Sequence, residues 1–134
     1  VGQLASRLSA LPVVREVLTR LQREVAMAGG VVLEGRDTGS VVVPDAEVKF
    51  YLDASLEERA RRRVRELAER GQPADITRVR LELAERDRAD SSRRLAPLVR
   101  PEEARYVDSS ALSPDAVVEL MLTEIERVRC CTTS

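Results

Sequence analysis

Residues 31–55, VVLEGRDTGSVVVPDAEVKFYLDAS, decide how this chain is read. Val31, Val32 and Leu33 form a short apolar run that enters a polar loop of Gly35, Arg36, Asp37, Thr38, Gly39 and Ser40. The pattern predicts a buried β-strand over residues 31–33 that opens into a loop. Open α/β folds place ligand-binding groups at such strand ends. A second β-rich run, residues 41–43, stops at Pro44 and Asp45. A third, residues 48–52, is almost wholly apolar, as expected of a parallel sheet covered by helices on both faces.

Upstream, Val14, Val17, Leu18, Leu21, Val25 and Ala28 recur at helical spacing and predict a helix over residues 12–28. Pro12 suits its first turn, and Gly29 with Gly30 ends it. Downstream, Ser55 and Glu58 predict a capping box for a helix reaching about Arg70 and stopping at Gly71. Asp75 is placed to cap a further helix over about residues 76–89, its polar face extending toward Arg93. A strand follows at residues 105–108. Ser113 and Pro114 then open a helix to about Val128, with Val117, Leu120, Met121, Ile125 and Val128 inward. Strands separated by helices need a crossover, so the order predicts a parallel α/β sheet, read as part of a larger one.

At 134 residues the chain is one domain's worth, long enough for a single core. Hydrophobic residues at 43% and charged residues at 34% describe a globular chain. Aromatics at 2% are too few for the stacking platforms of single-strand nucleic-acid binders, and a net charge of −1 argues against a general polyanion binder. Lys49 is the single lysine, so the other 21 basic residues are arginine. Arginine's planar fork suits phosphate and carboxylate, although a preference for Arg codons would produce the same excess. Cys130 and Cys131 are adjacent, with no histidine in the chain, so neither a disulfide framework nor a metal spacing can be drawn. No metal site, no membrane span, no specific nucleic acid and a cytoplasmic setting are the expectations.

Three clusters could carry chemistry. Arg36 and Asp37 follow the first predicted strand, where glycines allow close backbone approach; the alternative is a glycine-rich turn with a surface ion pair. Arg86, Asp90 and Arg93 lie at offsets of four and seven, on one helical face, and could brace a phosphate and a ribose. A solvated salt-bridge stripe has the same spacing. Arg59, Arg61, Arg62 and Arg63 form a third cluster, in which Arg59 and Arg62 share a face and most of the run is solvated.

Three separated blocks, ALPVVRE, EGRDTGSVVVPDAEVKFYLDAS and RDRADSSRRLAPLVRPEEARYVDSSALS, resemble bacterial cytidylate kinases in the same order. The resemblance implies a partial P-loop kinase-type three-layer sandwich with a parallel sheet, here without its N-terminal strand and phosphate loop. On this reading residues 1–134 are the C-terminal part of one nucleoside monophosphate kinase domain, with a lid-like helical segment at about 56–94. The implied cytosine contacts are Ser6, Arg15 and Asp37. Arg36 and Arg93 would contact the monophosphate, and Arg86 with Asp90 the ribose. Arg36, Arg86 and Arg93 would act in catalysis, and Arg59 and Arg62 would belong to the lid over ATP. The implied reaction moves the γ-phosphoryl group of ATP, with Mg²⁺, to CMP or dCMP in an enzyme monomeric when complete. No G-x-x-x-x-G-K-[ST] motif occurs in these 134 residues. The chain alone is therefore expected to be inactive, and loss of a neighbouring strand to favour poor stability or self-association. Competing readings are an AMP- or UMP-specific kinase, a non-catalytic nucleotide-binding or scaffold domain, and an arginine-rich nucleic-acid binder.

Overall fold

A computed structural model describes residues 11–92 and 99–132. Helix α1, Pro12–Met27, begins with proline in its first turn, where the missing N–H costs nothing. Gly29 and Gly30 end it at φ 73° and 63°, a left-handed conformation that glycine adopts without strain.

The strand expected at residues 31–33 does not form. Among the described residues this segment has no ladder partner, and Val32 is 95% exposed. An apolar run becomes a strand only when a neighbour takes its backbone N–H and C=O groups. The strand expected at residues 41–43 is also replaced. Thr38–Val42 is a π-helical turn, closed by Val42 N–H to Asp37 O at 3.2 Å and Val43 N–H to Thr38 O at 2.8 Å. Arg23 from α1 fixes the turn, its Nε donating to Val42 O at 2.8 Å and its Nη2 to Val41 O at 2.6 Å. A Cβ at Gly35 would stand 2.8 Å from Cγ2 of Thr38, so glycine lets the loop fold back here.

Strand β1, Phe50–Asp53, overlaps the strand expected at 48–52 but starts two residues later and ends one residue further on. It pairs in parallel with β2, Arg105–Asp108, from Phe50 opposite Arg105 to Asp53 opposite Asp108. Tyr51 and Tyr106 face each other across this register and stack with ring centroids 6.2 Å apart. The architecture is thus α/β with a two-stranded parallel sheet.

Helix α2, Leu56–Glu69, is capped as expected: the Ser55 side chain accepts from Glu58 N–H at 3.2 Å. The reciprocal half of the capping box is replaced. Glu58 turns its carboxylate to Arg62 at 2.9 Å, and Ser55 N–H donates to Ser110 Oγ at 2.8 Å. Helix α3, Ile76–Ser91, is capped by Asp75, which accepts from Arg78 N–H at 2.9 Å. Ala60 of α2 and Val79 of α3 are buried, and small side chains at such positions allow two helices to approach closely. Helix α4, Pro114–Thr132, starts with Ser113 Oγ accepting from Ala116 N–H at 3.2 Å. Val117 is buried as expected, but Leu120 is exposed. Among the described residues the remaining buried apolar ones are Val42, Ala54, Ala104 and Val107, so this part of the core is narrow and built from small side chains. Among the described residues no helix is long and apolar enough to cross a membrane.

Candidate functional site

The loop around Arg36 meets the C-terminal half of α3. Arg36 Nη1 donates to Asp90 Oδ2 and lies 3.6 Å from Asp87 Oδ1. Asp90 is 2% exposed, and a carboxylate so deeply buried is tolerated only when charged partners and hydrogen bonds offset its lost hydration. Asp87 also takes Arg59 of α2, whose Nη1 lies 2.7 Å from Oδ2, while Arg59 Nε donates to Ala54 O at 3.0 Å. Arg86 Nε stands 3.8 Å from Asp90 Oδ2 with its side chain 63% exposed. Three arginines from the loop, α2 and α3 thus gather around two carboxylates three residues apart on α3. The set carries a net positive charge, and such forks suit phosphate oxygens.

A second pair lies next to the first in sequence. Arg15 of α1 donates through Nη2 to Asp37 Oδ2, and Arg15 Nε is buried without a hydrogen-bond partner. An unmet buried donor carries a desolvation cost that an added acceptor would remove. Asp37 also precedes the π-helical turn, its carbonyl accepting from Val41 N–H at 2.8 Å. One loop therefore holds Arg36 toward α3 and Asp37 toward α1.

The other expected residues divide. Arg62 directs its guanidinium to Ser109 O at 2.6 Å and Ser109 Oγ at 3.1 Å, joining α2 to the segment after β2, so of Arg59 and Arg62 it is Arg59 that joins the carboxylates. Ser6 and Arg93 lie outside the described residues. Asp87 escaped the sequence reading because acids among arginines on a helix are usually solvated. Its signal was its place three residues before Asp90, on the same face. An open cleft of about 550 Å³ beside Asp87 is lined also by Leu56, Ala84, Arg88, Ser91 and Ser92.

At the carboxyl end of the sheet, Tyr106 hydroxyl donates to Asp53 Oδ2 at 3.1 Å, and Arg100 lies 5.0 Å from its ring centroid. Partial burial, then that bond, raises the Tyr106 phenol above its ordinary range. Asp108 is held below the usual carboxylate range by the Ser110 hydroxyl, at 2.6 Å, and then by the Ser110 N–H. Among the described residues no group of three metal-ligating side chains occurs, and Asp87 and Asp90 already hold arginines. This donor set fits anions rather than a cation.

A family model described as cytidylate kinase matches residues 1–127. The chain belongs to the cytidylate kinase family. It is 50% identical over 121 residues to a cytidylate kinase of Geobacter sp. (strain M21), covering 90% of this chain and 52% of the relative. It is 46% identical over 129 residues to one of Pelotomaculum thermopropionicum, covering 96% and 57%. A Streptococcus pyogenes serotype M1 cytidylate kinase is 45% identical over 123 residues, covering 92% and 54%. The chain spans about half the length of the curated relatives it matches.

Proposed function

We propose that the chain forms the acceptor side of a cytidylate kinase, the part that binds CMP or dCMP for phosphoryl transfer from ATP. The supporting observation is the meeting of Arg36, Arg59 and Arg86 around Asp87 and Asp90. Phosphoryl transfer asks a protein mainly for position and positive charge. Arg36 and Arg86, together with Arg93, are assigned to the acceptor phosphate and ribose. Asp90 holds the Arg36 guanidinium so that its fork is oriented before substrate arrives, with Arg86 standing beside it in solvent. Arg15 and Asp37 are assigned to the cytosine edge, where Arg15 Nε supplies a donor and Asp37 an acceptor for the exocyclic amine. Ser6 completes that set. Arg59 is assigned to the lid, since it links α2 to the acceptor cluster through Asp87, and Arg62 serves there by bracing α2.

In the reaction a phosphate oxygen of CMP forms a bond to the γ-phosphorus of ATP as the bond to the β–γ bridging oxygen breaks, giving CDP and ADP. Mg²⁺ would enter with the donor triphosphate, since these residues offer no cation site. The arginines neutralise charge on the acceptor phosphate, which otherwise repels the donor.

Nucleotide titration of the isotopically labelled chain, followed by NMR, tests this assignment. CMP should shift the resonances of Arg15, Arg36, Asp37 and Asp90, with UMP and AMP acting only at higher concentration. Equal response to AMP, or shifts that bypass these residues, would overturn it.

A further inference from the structure

Helix α1 grips the 35–42 loop at both ends, through Arg15 and Arg23. Arg15 takes the Asp37 carboxylate at the entry of the π-helical turn, and Arg23 takes two carbonyls at its exit. The second grip is a fork: Nε reaches Val42 O at 2.8 Å while Nη2 reaches Val41 O at 2.6 Å. A guanidinium presents such paired donors in one rigid plane, which the single ammonium of lysine does not.

The fork answers a specific need. The last carbonyls of a helical turn have no partner within it. Val42 is 2% exposed, so its carbonyl is cut off from water and requires a donor from the protein. The turn is also of a rare kind, closed from residue i to i+5 and frequent at functional sites. Asp37 O accepts from both Val41 N–H at 2.8 Å and Val42 N–H at 3.2 Å. The first of these is already the α-helical bond, i to i+4. Two registers therefore compete for one carbonyl, whereas the 2.8 Å bond from Val43 N–H to Thr38 O belongs to the wider turn alone. Arg36, one residue before Asp37, is tied separately to Asp90 of α3.

We propose that Arg23 is a specificity-determining positioning residue: it holds Thr38–Val42 in the π register and so keeps the Asp37 carboxylate facing Arg15. Without the fork the turn tightens to the α register, rotating Asp37 against the buried Val42 and turning its carboxylate away from the base. The inference rests on the acceptor-site reading above, in which Asp37 accepts from the exocyclic amine of cytosine. Uracil carries a carbonyl at that place, which a carboxylate repels, so the aim of Asp37 decides between two bases that differ by one group. Arg23 acts through the turn, with both of its contacts on backbone carbonyls.

The test titrates the isotopically labelled chain with CMP and with UMP by NMR, unsubstituted and as Arg23→Lys and Arg23→Gln. Both variants should lower the preference for CMP over UMP about tenfold, the scale of one hydrogen bond to a charged group. The loss should fall on CMP, while UMP, held through its phosphate by Arg36, binds nearly as before. A role confined to stability would weaken both nucleotides equally. Arg23→Lys keeps the charge, so it isolates the fork and serves where Arg23→Gln fails to fold. Scalar coupling across hydrogen bonds reads the register without nucleotide: the coupling from Val43 N–H to the Thr38 carbonyl should be present in the unsubstituted chain and lost in both variants. Arg20→Gln, on the same helix, should change neither reading. An unsubstituted chain with no preference for CMP would overturn the acceptor-site reading and this inference with it. A preference that survives in both variants, an equal loss for both nucleotides, or a persisting Val43–Thr38 coupling would overturn this inference alone.

Discussion

Helices α1 and α3 have the same length, sixteen residues, and opposite relations to the molecule. Helix α1 has the cleaner apolar stripe and buries nothing; α3 is dense in charge and buries both Val79 and Asp90. The difference teaches that amphipathic patterning says a face needs a partner, without saying where that partner is. Charge arranged at helical spacing can anchor an element when a second segment brings the complementary groups. Here Arg36 and Arg59 come to α3 from other parts of the chain, and α1 meets the same loop with its polar side.

The largest expected effect breaks the comparison outright. Val79→Asp places a charge in the α2–α3 contact and should cost about 3 kcal/mol or more in urea unfolding. The same change at Leu21 should stay within about 0.5 kcal/mol for the chain on its own, because that side chain is 48% exposed. A large loss at Leu21 would mean that α1 is packed by its apolar face.

A smaller effect sharpens what anchors α3. Arg36→Ala removes one charged partner of the buried Asp90 and should lower stability by about 2 kcal/mol, less than a fully buried pair because Arg36 is partly solvated. Arg86→Ala should cost less than about 0.5 kcal/mol, as its guanidinium is mostly in water and 3.8 Å away. Equal costs would remove the distinction between an anchoring arginine and one left available to a ligand.

The smallest effect lies outside both helices, at the end of β2. Asp108 has a folded pKa below its ordinary value, so its contribution to stability is present above that value and is lost as pH falls through the folded one. Ser110→Ala removes the leading cause and should move the Asp108 titration, followed by carboxyl NMR shifts, upward toward 3.8. An unmoved titration would assign the shift to the backbone N–H alone.

What was legible in the sequence was mostly local. Ser55, Asp75 and Ser113 cap their helices from within three residues, so their signals survive any change elsewhere in the chain. The strand pair was readable because residues 48–52 and 105–108 each suit a pleated surface and find each other. Residues 31–33 also suit a pleated surface, but a strand is defined by its neighbour, and composition does not report one. Residues 41–43 went astray because Arg23, eighteen residues upstream of Val41, takes two of their carbonyls, an interaction without periodicity. In the site, Arg36 and Asp90 were legible as candidates for binding a phosphate and a ribose. Asp87 was not, because only the fold shows that Arg36 and Arg59 both reach it.

The central claim, an acceptor site for cytidine monophosphate built on Arg36, is tested most directly by product formation in the assembled protein. The chain would be combined with the complementary part of a relative, supplied with CMP and Mg²⁺-ATP, and the nucleotides separated. The account predicts one CDP for each ADP, with turnover falling about a hundredfold or more in Arg36→Ala. A complex that assembles yet forms no CDP, or one in which Arg36→Ala turns over unchanged, would contradict it.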